Sequence, residues 1–92
     1  KVIITNPSDN AESILQIVSS DRQGLLSKIG SLFVELGIVV HQARITTLGE
    51  RVEDVFHISD LEGNPIRDRT RINQIVSRLE ERIDSEVTEA VA

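Results

Sequence analysis

The sequence predicts an α+β domain in which one antiparallel sheet of about four strands carries two helices on a single face. Three observations support this. Two segments place apolar residues at helical spacing: Leu25, Leu26, Ile29, Leu32, Phe33 and Leu36 in the first, and Ile72, Ile75, Val76, Leu79 and Ile83 in the second. Four shorter segments are β-rich, bounded by turn residues. Each helix has only one apolar stripe, so each needs one sheet face to cover it.

The elements follow in order. Val2-Ile3-Ile4-Thr5 is a short strand, closed by the turn cluster Asn6-Pro7-Ser8-Asp9-Asn10. Ser13 to Ser19 is a second strand with Leu15 and Ile17 on one face and Ile14, Gln16 and Val18 on the other. Both faces are largely apolar, which places it inside the sheet. The first helix is expected over about Arg22 to Leu36, stopped by Gly37. The strand Ile38 to Leu48 follows at once. It alternates over Ala43, Ile45 and Thr47, and the broken phase at Val39-Val40-His41 points to a bulge near His41. Gly49-Glu50 joins it tightly to the strand Arg51 to Ser59, so the two form a hairpin. After the turn Asp60 to Pro65, the second helix is expected over about Asp68 to Ile83. Residues 85–92 read as a fraying tail beyond an ordered core of 1–84.

The order β, β, α, β, β, α is that of a ferredoxin-like fold. A right-handed crossover between the second and third strands leaves room for one strand, and the hairpin partner fills it. The opening strand then takes the place of the usual last strand. The spatial order becomes opening strand, Ser13–Ser19, Arg51–Ser59, Ile38–Leu48. This leaves Ile38–Leu48 as a long edge with little charge, and such edges invite pairing. The expected assembly is a homodimer, or a pairing with a second like domain, through strand 38–48.

Composition narrows the function. The 92 residues are one domain, 39% hydrophobic with two aromatics, so the core is built from Ile, Leu and Val. A net charge of −5, spread over both halves, argues against nucleic acid and anionic membranes as partners. The chain has no cysteine, which removes disulfides and thiolate metal sites and favours a reducing compartment. It opens on Lys1 and contains no methionine, so a piece of a larger multidomain protein is expected.

The chemistry concentrates at Ser20-Asp21-Arg22-Gln23-Gly24-Leu25-Leu26, where a strand feeds a helix. The first amides of a helix have no internal partner and carry the positive end of its dipole, so a carboxylate can bind there. Gly24 allows a positive φ or a close approach. Asp21 has two open roles, helix cap or ligand acceptor.

These residues, with Leu36-Gly37-Ile38 and His41-Gln42-Ala43-Arg44-Ile45, resemble ACT domains, regulatory modules that bind amino acids at dimer interfaces. The run from Ala43 to Phe56 resembles more narrowly the C-terminal ACT domain of the bacterial PII-protein uridylyltransferase/uridylyl-removing family. The resemblance covers about residues 1 to 84. It implies a cytoplasmic nitrogen sensor, whose parent adds UMP to a PII signalling protein when glutamine is scarce and removes it when glutamine is plentiful. The PII protein would meet this domain only through the parent, and magnesium would belong to the parent's transferase. Neither a Gly-Ser/Asp-x-Asp signature nor a His-Asp metal dyad occurs here, so no catalytic residue, metal or cofactor is expected in this chain. The implied ligand contacts are Asp21, Arg22, Gln23, Gly24, Leu25 and Leu26, then Leu36, Gly37 and Ile38, with Gln42 and Ala43 from a neighbouring subunit. Many relatives carry Pro where this chain has Gln23. An amino-acid carboxylate would meet the amides of Gly24, Leu25 and Leu26, Asp21 would accept from the ammonium, and a partner's Gln42 would read a side-chain amide.

Other polar groups read as structural. His41 and His57 lie in strands without a third ligand at metal spacing. Glu50, Glu53 and Asp54 read as a solvated hairpin start, and Arg67, Arg69 and Arg71 as solvated or partner-facing. The competing function is a ligand-free dimerisation or interdomain docking module. An acylphosphatase-like enzyme would need a Gly-rich phosphate cradle, which does not accompany Arg22.

Overall fold

A computed structural model describes residues 1–7, 12–20 and 24–91, with side chains as far as Ile83. Its elements are β1 (Val2–Thr5), β2 (Ser13–Ser20), α1 (Leu25–Glu35), β3 (Val39–Leu48), β4 (Arg51–Ser59) and α2 (Arg69–Val91). The sheet order is β1-β2-β4-β3, antiparallel throughout. This is the ferredoxin-like plan expected from the sequence, with β1 in the substitute place and β3 at the edge.

The strand pattern carries this result. Side chains alternate across a strand, so every second residue enters the core. On β2 these are Leu15 and Ile17; on β4 they are Phe56 and Ile58. Register aligns them, with Leu15 opposite Phe56 and Ile4 opposite Leu15. The helices supply Leu25, Ile29, Leu32 and Phe33 from α1, and Ile75, Leu79 and Ile83 from α2. Phe33 meets Phe56 edge to face at 5.2 Å, tying α1 to the centre of the sheet. The β3–β4 register slips between Val40 and Gln42, so the bulge falls at His41.

The end of α1 shows how local chemistry fixes the fold. Gly37 has φ of 69°, a region that suits glycine. The Gly37 N–H donates to the Val34 carbonyl and the Ile38 N–H to the Phe33 carbonyl, at 3.2 and 2.9 Å. This is a Schellman ending, and buried Ile38 completes it. The Arg71 guanidinium reaches across from α2 and donates to the Leu36 carbonyl at 2.6 Å. A cation there also suits the negative end of the helix dipole. Arg71 is therefore half-buried and structural, in contrast to the solvated or partner-facing role expected for it.

A second polar knot fixes the far end of the sheet. The buried Ser13 hydroxyl accepts from the Ile66 N–H at 2.8 Å, and Asn6 Nδ2 donates to the Ile66 carbonyl at 2.9 Å. These bonds clamp the loop before α2 to β1 and β2. Asp68 caps α2, its carboxylate accepting from the Arg71 N–H at 3.0 Å.

Two boundaries differ from expectation. The first helix begins at Leu25 rather than near Arg22, because Gly24 has φ of 81° and cannot belong to a right-handed helix. The second helix runs to Val91 rather than ending near Ile83, so residues 85–91 of the expected tail are helical. The turn expected over 6–10 lies partly outside the described residues.

Candidate functional site

The start of α1 is open. Gly24 is the cap residue, and among the described residues no side chain caps the helix. The ladder begins with the Lys28 N–H donating to the Gly24 carbonyl at 3.2 Å. The amides of Leu25, Leu26 and Ser27 precede it, and amides in that position have no partner inside the helix.

This end of α1 faces a cavity of about 110 Å³. Leu25 and Leu26 come to it from α1, Ile45 and Thr47 from β3, and Ser19 and Asp54 from the inner strands. Ile45 and Leu26 are each about half exposed, at 49% and 47%, so the cavity opens toward the β3 edge. Asp54 is 4% exposed. Its Oδ1 and the Ser19 hydroxyl are buried without a hydrogen-bond partner among the described residues. Burial pushes the Asp54 carboxyl above its ordinary value of 3.8.

Asp54 corrects the sequence reading, which placed it in a solvated acidic cluster with Glu50 and Glu53. The missed signal was parity. Asp54 stands two residues before Phe56 and four before Ile58, so it shares their core-facing side.

A raised acid has a defined effect on stability. As pH rises past 3.8, the unfolded chain releases this proton while the folded chain keeps it. Over that window the native state binds more protons, so stability falls with pH. Above the folded value the cost is complete. Asp54→Asn is therefore expected to stabilise the unliganded domain at neutral pH. The gain should disappear below pH 3.8. Urea unfolding at a series of pH values measures it.

The remaining sequence-predicted contacts are dispersed within one chain. Asp21, Arg22 and Gln23 lie outside the described residues. Leu36, Gly37 and Ile38 sit at the opposite end of α1, about 16 Å away at 1.5 Å per residue. Gly37 borders a separate cleft of about 410 Å³ shared with Leu61 and Arg71. Gln42 lies on the sheet face away from the helices, beside Arg44, Val55 and His57. Ala43 pairs with Phe56 on the helix side but is exposed. Only Gly24, Leu25 and Leu26 are therefore grouped at the α1 start among the described residues.

On the open face, Glu12 lies 3.6 Å from Nδ1 of both His41 and His57. His41 Nε2 is also 2.7 Å from the Ser59 hydroxyl. Among the described residues, no group of three or more His, Cys, Asp or Glu side chains could hold a metal ion. Among them also, no helix is long and apolar enough to cross a membrane.

The sequence model described as "ACR family N-terminal ACT domain" matches residues 8–86. The chain belongs to this ACT-domain family. Among curated proteins, the ACT domain is 46% identical over 83 residues to the "Bifunctional uridylyltransferase/uridylyl-removing enzyme" of Pseudomonas putida (strain W619), covering 90% of this chain. It is 40% identical over 87 residues to the protein of the same name from Stutzerimonas stutzeri (strain A1501), covering 95% of this chain. A third, from Methylococcus capsulatus (strain ATCC 33009 / NCIMB 11132 / Bath), is 40% identical over 79 residues, covering 83%. The ACT domain spans only 9% of the length of each of these relatives. No solved structure matches it.

Proposed function

We propose that this ACT domain is an amino-acid sensor, with glutamine as effector, and that it regulates a bifunctional uridylyltransferase/uridylyl-removing parent in the cytoplasm. The observation that carries the reading is the start of α1, opened by Gly24 and, among the described residues, uncapped and facing a cavity with unpartnered polar groups. Free amides at the positive end of a helix suit a carboxylate. The kinship with uridylyltransferase/uridylyl-removing enzymes supports the choice of parent. The PII protein and magnesium are matters for that parent, outside this chain.

The β3 edge supports the assembly. Val40, Ile45 and Leu48 are exposed along a strand with one free side. Pairing of two copies, or of a second ACT domain, along β3 would continue the sheet and close the cavity's open rim. Binding would then couple α1 of one subunit to the edge of another. A coupling of about 1–3 kcal/mol changes an activity severalfold.

The same edge favours a second reading, a docking module that assembles without a ligand. Calorimetry of the chain with glutamine, glutamate, asparagine and alanine separates the two. Saturable binding that prefers glutamine is expected. Assembly with no heat from any of the four would leave only the docking role.

A further inference from the structure

We infer that Asp54 is the group that receives the ammonium end of the effector, so that the amino acid lies as a zwitterion between the Asp54 carboxylate and the amides opening α1. This rests on the sensing reading and names a recognition residue within it. Asp54 is walled in on the core side of β4, with Ile17 opposite it on β2 and Ile45 opposite it on β3. It is 4% exposed and Oδ1 has no partner among the described residues. An ionised acid in such a place is costly until a counter-charge reaches it. An ammonium group supplies that charge through a short, charge-assisted bond.

The cavity's two ends have opposite character. Leu25 and Leu26 bring the positive end of α1, and Asp54 brings the negative group. Ser19, whose buried hydroxyl is also unpartnered, lies in the same cavity and can accept a second ammonium hydrogen. A molecule with a carboxylate and an ammonium on one carbon satisfies both ends at once. A plain carboxylate satisfies only the helix. The side chain would leave past Ile45 and Thr47 toward the β3 edge, where the cavity is open.

The test compares glutamine with its counterpart lacking the α-ammonium, 5-amino-5-oxopentanoate, on the wild-type chain and on Asp54→Asn and Glu50→Gln. The wild type is expected to bind glutamine at least about tenfold more tightly than the deaminated ligand. Asp54→Asn should lose about tenfold for glutamine and bind the two ligands alike, while Glu50→Gln, at an exposed hairpin position, keeps the discrimination. In the wild type, the Asp54 side-chain 13C resonance should move with glutamine and stay with the deaminated ligand, a readout that needs no folded variant. Unchanged discrimination in Asp54→Asn, or a silent Asp54 resonance on glutamine saturation, overturns the role of Asp54 and leaves the sensing reading standing. Absence of binding by either ligand to the wild type overturns both.

Discussion

Leu32→Ala is expected to lower the unfolding free energy by about 3–5 kcal/mol. Leu32 is fully buried at the middle of the α1 stripe, one position before Phe33, whose ring packs edge-on against Phe56. Truncation leaves a cavity between helix and sheet that close packing cannot fully refill. Domains of this size have total stabilities of about 5–15 kcal/mol, so much of the margin would go. Urea denaturation followed by circular dichroism measures it. The consequence would reach the proposed function, because α1 holds Leu25 and Leu26 against the cavity. Glutamine affinity should fall with the folded fraction, and excess glutamine should recover part of the lost stability by mass action. A loss below about 1 kcal/mol would mean that α1 is not anchored through Leu32.

Ile45→Lys is expected to weaken self-association by about a hundredfold or more. Ile45 is half exposed on the free-edge strand, opposite Asp54 across the β3–β4 ladder. In an edge-to-edge pair related by a two-fold axis, one substitution places two ammonium groups in a single interface. Inward-pointing charge on an edge strand is a recognised device against pairing. Like charges in an interface cost several kcal/mol, and every 1.4 kcal/mol is about tenfold. Sedimentation equilibrium reads the assembly directly. Gln16→Lys is the control: Gln16 is exposed on β2, whose two sides are already paired, and its change should leave association intact. A dimer undisturbed by Ile45→Lys would place the partner on another surface.

Much of the architecture was legible because period and turn chemistry agreed. Leu15, Ile17, Phe56 and Ile58 alternate as a core-facing set, and the α1 stripe repeats as a helix does. Gly37 stops α1, and the broken phase at His41 becomes a bulge because the strand must return Ala43 and Ile45 to the helix side. The start of α1 was harder to place. Asp21 and Arg22 resemble a helix opening, yet Gly24 in the left-handed region delays it to Leu25.

Of the candidate site, the sequence pointed to Gly24, Leu25 and Leu26 and not to Asp54. The dense charge of Glu50, Arg51, Glu53 and Asp54 masked the alternation that sends one of these acids inward. Burying a carboxylate breaks the ordinary rule for a core, and such exceptions concentrate where a ligand is expected. The stability expected from Asp54→Asn and the binding it should remove are two sides of that exception.

The most direct measurement is a glutamine titration of the isotopically labelled chain, followed by amide and side-chain resonances. Saturable shifts are expected at Gly24, Leu25 and Leu26, with Ile45, Thr47 and Asp54 moving at the same midpoint. Saturable shifts confined to the Gly37–Arg71 cleft or to the open sheet face, or no saturable shift at all, would contradict the sensing reading.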